Sequence, residues 1–164
     1  MNKYSHKKSH AGWWIAGGIA AIAIGLTLWG SYSGSTLTTR ELALSCTTDA
    51  LTQFHIHPHL RIIINGTEQI IPAGTGITLA CLHPIHTHDS TGTIHIESPV
   101  ARDFTLGDFF AVWNKPFSKD QILDYKADAT HAVTITVNGI RVDTYENTVM
   151  HDHDDIVISY AATT

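Results

Sequence analysis

The 164-residue chain has little charge, little cysteine and almost no methionine. Charged residues make up 15%, against roughly a quarter in ordinary soluble domains. The formal net charge is −5, with only 10 Lys and Arg. A chain of that sign offers no basic surface for phosphate, which excludes nucleic acid as a partner. Only 5 prolines and 12 glycines without a period are present, which excludes collagen-like and Pro-rich architectures. A 43% apolar content excludes a disordered acidic or basic chain. There is no G-x-S-x-G elbow, and no P-loop or dinucleotide-binding glycine pattern. The two cysteines, Cys46 and Cys81, are too few for a thiolate-rich metal site. In an oxidising compartment their default reading is one disulfide.

The scarce charge is unevenly placed. Lys3, Lys7 and Lys8 precede residue 12, and no cation follows until Arg40. All 15 Asp and Glu lie beyond residue 40. Between these regions, Gly12–Gly30 (GWWIAGGIAAIAIGLTLWG) carries no charge over 19 positions. As a helix it spans about 28 Å, roughly one hydrocarbon core. Trp13 and Trp14 stand at one end, and Trp29 with Tyr32 at the other, as interfacial anchors. The expectation is a cytoplasmic tail (1–11), a transmembrane helix (12–30), a polar tether (31–45) and an extracytoplasmic domain (46–164). The positive-inside rule sets that orientation. A cleaved signal peptide is the alternative, against which stand the long apolar core and the lack of an A-x-A site.

Within the domain, LRIII and TEQII flank Asn65-Gly66, a type I′ hairpin signal. A second hairpin, AVTITV and IRVDTY, turns at Asn138-Gly139. TIHIE (Thr93–Glu97) reads as a strand ended by Pro99, and Asp155–Tyr160 as the last strand. Residues 72–81 read as loop. Two short helices are expected between the hairpins. The first follows the capping box Thr105-x-x-Asp108, with Phe104 and Phe109 as a hydrophobic staple. Its apolar stripe of Leu106, Phe109, Phe110 and Trp113 is core packing. The second follows Ser118-x-x-Gln121. The fold class is therefore α+β with a mainly antiparallel sheet, in a β-grasp-like order. A cupredoxin-like β-sandwich is the alternative.

Twelve histidines stand against this sparse background. Seven fall within 41 residues: His55, His57 and His59 in HIHPH, His83, His86 and His88 in HPIHTH, and His95 in HIE. On a strand, residues i and i+2 share a face. Hence His55, His57 and His59 line one face, His86 and His88 do the same if that piece is extended, and His95 with Glu97 form a third pair. Ile56, Thr87, Ile94 and Ile96 point the other way, which suits burial. Pro58 removes a backbone donor and confines its stretch to an edge or a strand entry. A His-x-His pair completed by a third His is the ligand pattern of open zinc sites. The pairs suffice for one cation or two.

The candidate ligands are His55, His57, His59, His86, His88 and His95. Asp89 and Glu97 are candidate hydrogen-bond acceptors or direct ligands. A nitrogen-rich set suits Cu(II) or Zn(II). Cys81-x-His83-x-x-His86 echoes a blue-copper loop, but only a free Cys81 would sustain it, and no methionine follows. Two further readings use the same residues: a metalloenzyme with an open position, and a structural module whose His pairs merely stabilise the sheet. Among the others, His6 and His10 fall in the tail and His131 on the surface. His151 and His153 fall in a solvated acidic turn that is not an EF-hand loop.

The segments HIHPHLRIIINGTEQIIPAGTGI, CLHPIHTHDSTGTIHIESP, FTLGDFFAVWNKPF and the closing VNG…ENTVMHDHDDIVISY together resemble an uncharacterised family of membrane-anchored or secreted prokaryotic domains. The resemblance covers about residues 46–160. It implies domain boundaries and no activity. The family's last turn reads D-G-D where this chain has Asp152-His153-Asp154, so the expectation there is a loosened turn and a task for His153.

Overall fold

A computed structural model of the chain describes residues 37–48 and 52–163. In chain order the elements begin with α1 (Thr39–Ala43), β1 (Phe54–Ile56), β2 (His59–Ile64) and β3 (Thr67–Gln69). Next come β4 (Ile85–His86), β5 (His95–Ser98), α2 (Leu106–Val112) and the two-residue strands β6 (Phe117–Ser118), β7 (Gln121–Ile122) and β8 (Tyr125–Lys126). The chain closes with β9 (His131–Val137), β10 (Ile140–Val142), a 3-10 turn (Tyr145–Asn147) and β11 (Asp155–Ala162). The architecture is α+β.

Both Asn-Gly pairs make the turns their chemistry demands. Asn65 and Gly66 take φ of 48° and 81°, and Asn138 and Gly139 take 53° and 78°. Two successive left-handed residues match the twist of the flanking strands. The hairpins β2–β3 and β9–β10 are joined by β11, parallel to β2 and antiparallel to β9. The result is a five-stranded mixed sheet of order β10-β9-β11-β2-β3. A three-stranded antiparallel sheet has the order β1-β5-β4, and β6-β7-β8 form a third, small one.

One core serves the domain. Leu60, Ile62, Ile135, Ile156 and Ile158 fill it from the five-stranded sheet, and Ile85 and Ile96 from the three-stranded one. Leu106, Phe109 and Phe110 enter from α2. Each such side chain contributes about 1.5–3 kcal/mol on burial. The Thr105–Asp108 capping box forms as expected, with bonds in both directions. Phe104 and Phe109 are fully buried.

Two expectations are corrected. The segment after Ser118 is not a helix. Ser118 Oγ accepts from the N–H of Asp120 at 3.1 Å, an i+2 bond that closes a turn rather than a cap. Leu123 follows with φ of 51°, which breaks a right-handed helix. The tether reading of residues 31–45 also fails over its described part. Thr38 and Glu41 form a reciprocal capping box, and Leu42 and Ala43 are buried. Arg40 Nε lies 2.7 Å from Asp108 Oδ1, pairing α1 with α2. The second short helix of the fold is thus α1. Gly12–Gly30 lies outside the described residues. Among those described, no helix is long and apolar enough to cross a membrane.

Candidate metal centre

The register of the three-stranded sheet decides which side chains meet. Ile56, Ile96 and Ile85 pair across it, as do His55 with Glu97 and His95 with His86. Alternation sends the isoleucines to the core and the histidines and Glu97 to the opposite face. His57 and His88, two residues beyond His55 and His86, fall on that same face.

His95 is the hub. Its ring centroid lies 4.5 Å from that of His88, 4.7 Å from His57, 5.7 Å from His86 and 6.3 Å from His55. Two donor groups able to hold a metal ion share it. One is His86, His88, His95 and Glu97, and the other is His55, His57 and His95; within each, the ligand atoms lie within 4.8 Å of one another. His95 Nδ1 is buried without a hydrogen-bond partner. A buried polar nitrogen left so is costly, and a cation would satisfy it. Burial pushes the His95 pKa down, and His88, His57 and His86 push the same way against Glu97. The ring is therefore held neutral, the form that ligates.

His86 is fully buried, and its Nδ1–H donates to the His83 carbonyl at 2.9 Å. That bond fixes the tautomer and turns the Nε2 lone pair toward His88, whose Nε2 is 3.3 Å away. His83 thus acts through its backbone. It is held by a bond from its N–H to the Gly76 carbonyl at 2.9 Å, and by its Nδ1 on the Ser45 carbonyl at 3.0 Å. The Cys46–Cys81 disulfide, with Cα atoms 5.1 Å apart, ties the same two segments together. Cys81 therefore offers no thiolate, as the disulfide reading expected, and a blue-copper ligand loop has no sulfur to use. Gly76 packs under the strand with φ of 80°, and a Cβ there would meet the Ile85 carbonyl oxygen at 2.5 Å. Thr87 is buried on the other side, with its hydroxyl donating to the Pro72 carbonyl at 2.8 Å.

Glu97 Oε1 lies 3.0 Å from His55 Nε2 and 3.7 Å from His95 Nδ1. Asp89 lies outside both donor groups. Its Oδ1 accepts from the Thr91 hydroxyl at 2.6 Å and from the Thr91 N–H at 2.9 Å. These bonds hold its carboxyl below the usual carboxylate range.

His59 does not join the cluster. Its Nε2 lies 2.9 Å from the Thr91 carbonyl, and its Nδ1 lies 3.6 Å from Asp155. Counting i+2 through Pro58 fails because the chain changes sheets there: β1 pairs β5, whereas β2 pairs β11. His59 pins the loop before β5 rather than adding a ligand.

The residues that the histidine pattern did not reveal are supports. Asp152 Oδ1 accepts from the His57 N–H at 2.8 Å and lies 3.9 Å from the ring Nδ1. Asp154, buried, accepts from the His151 N–H at 2.8 Å and from the Asn138 side chain at 2.9 Å. The acidic turn thus braces β1 against the second hairpin; only the density of acid in MHDHDD hinted at it. His153 takes φ of 61°, in the left-handed region that glycine adopts most readily. The turn closes with a bond from the Asp154 N–H to the His151 carbonyl at 3.2 Å, and the exposed ring of His153 lies 3.3 Å from Asp152.

This arrangement defines a nitrogen-rich donor cluster on a strand face, able to hold a metal ion. Comparison with protein-family models, with curated proteins and with solved structures gives no match.

Proposed function

We propose that the chain is a single-pass, membrane-anchored, extracytoplasmic protein that binds a transition metal, Cu(II) or Zn(II), for metal handling or electron transfer. The ligands are drawn from His55, His57, His86, His88 and His95, with Glu97 beside them. One observation carries the reading: four imidazoles converge on His95, whose buried Nδ1 has no hydrogen-bond partner. Nitrogen and carboxylate donors without thiolate suit Cu(II) and Zn(II). The uncharged Gly12–Gly30 with three lysines before it supports the anchor and its orientation, and the disulfide supports an oxidising compartment. The hairpin–helix–hairpin–strand order, with β11 at the sheet centre and parallel to β2, supports a β-grasp-like fold. The resemblance to membrane-anchored prokaryotic domains agrees with both.

The test is a thermal melt of the purified chain with and without Zn(II) or Cu(II). Binding at a hundredfold excess over Kd adds about 2.7 kcal/mol to the folded state, so the melting temperature rises by several degrees. An unchanged melt with both metals overturns the reading.

A further inference from the structure

The cluster holds more donors than one four-coordinate cation can use, and they divide into two groups that meet at His95. The inner group contains the fully buried His86. The outer contains His55, with a side chain 48% exposed. Ligands at about 2.0–2.1 Å around a tetrahedral cation stand about 3.3 Å from one another. Two pairs in the cluster already have that spacing. His86 Nε2 and His88 Nε2 are 3.3 Å apart. His55 Nε2 and Glu97 Oε1 are 3.0 Å apart. The first pair belongs to the inner group, and the second brings His55 of the outer group against Glu97 of the inner.

We infer that the centre holds two cations, an inner one on His86, His88 and Glu97 and an outer one on His55, His57 and His95. Glu97 makes this division possible. It supplies the inner cation's third ligand, which leaves His95 to complete the outer one. Each cation then has three protein ligands and an open fourth position, the pattern of exchangeable rather than closed sites. The inner cation rests on a side chain that the His83 carbonyl has already oriented, so it binds first and more tightly. The outer cation rests on half-exposed rings and exchanges faster. The inference depends on the metal-binding reading above.

The experiment is calorimetric titration of the full-length chain with Zn(II), in a His6→Ala/His10→Ala background that removes the N-terminal histidines from the count. The expected result is two equivalents, the first at least tenfold tighter. His55→Ala/His57→Ala should remove the weaker equivalent and leave the tighter unchanged. Both rings lie on the exposed side of the sheet, so this variant folds even if one at His86 does not. His86→Gln/His88→Ala should remove the tighter equivalent. A single equivalent, abolished by the His55/His57 change, overturns the two-cation arrangement and leaves metal binding standing. No binding in the background chain overturns both.

Discussion

The two larger sheets of this domain obey the same alternation and differ in what they show on the other face. In the five-stranded sheet, Val133 and Ile135 of β9 and Ile156 and Ile158 of β11 are buried. Between them stand Thr134, Thr136, Val157 and Ser159. In the three-stranded sheet the same rule buries Ile56, Ile85 and Ile96, but the intervening positions are His55, His86, His95 and Glu97. Threonine and serine satisfy a sheet's outer face without special chemistry. A metal-ligating side chain, histidine or Glu97, at every corresponding place in the smaller sheet is therefore not a requirement of folding, and the donor geometry is its more economical explanation.

The sharpest way to break that comparison is to empty each face in turn. His86→Gln/His88→Ala should weaken Zn(II) binding by more than about 100-fold, since losing a mere supporting partner already costs about 10–100-fold. Thr134→Ala/Thr136→Ala should leave it unchanged; competition against a chromophoric chelator reads both. Equal losses would show that the faces do not differ. Emptying the shared side instead should cost stability. Ile96→Ala, at a fully buried position, should destabilise by about 2–5 kcal/mol in urea unfolding.

How far these differences were legible depends on the range of the signal. The Asn-Gly turns, the Thr105 capping box and the isoleucine–histidine alternation are local, and each formed as read. The disulfide followed from the cysteine count. The errors arose where a local pattern met a distant partner. Ser118-x-x-Gln121 matches a capping box, yet Phe117 pairs with Ile122 instead. Thr38-x-x-Glu41 matches one too but sits in a polar stretch that reads as a tether, because the burial of Leu42 and Ala43 that stabilises α1 leaves little trace in so short a stretch. His59 shows the limit within the site. Period-2 counting cannot see that Pro58 ends one sheet's strand and leads into another's.

The disulfide offers a smaller perturbation. Cys46 and Cys81 are 35 residues apart, and closing such a loop contributes about 2–4 kcal/mol. Cys46→Ser/Cys81→Ser should lose that stability and also weaken Zn(II) binding, because the bridge holds the segment whose His83 carbonyl orients His86. Stability lost with affinity intact would show that the two sheets are supported independently.

Acid should give the smallest effect. The folded pKa of His95 lies below the ordinary value of about 6.5 because of burial and its imidazole neighbours. Its contribution is whole above that value and is lost as pH falls toward the folded pKa, since the unfolded chain then takes up a proton that the folded one refuses. The urea midpoint of the metal-free protein should therefore be lower at pH 5.5 than at pH 7.5. A midpoint that rises on acidification would contradict a neutral His95.

The central claim, that the histidine face of the smaller sheet is a metal centre, is tested most directly by X-ray absorption at the metal edge of the full-length chain loaded with Zn(II). The account predicts a nitrogen and oxygen shell at about 2.0–2.1 Å with the multiple scattering of imidazole, and no sulfur at about 2.3 Å. A shell of water oxygens alone, or one that persists unchanged in His86→Gln/His88→Ala, would contradict it.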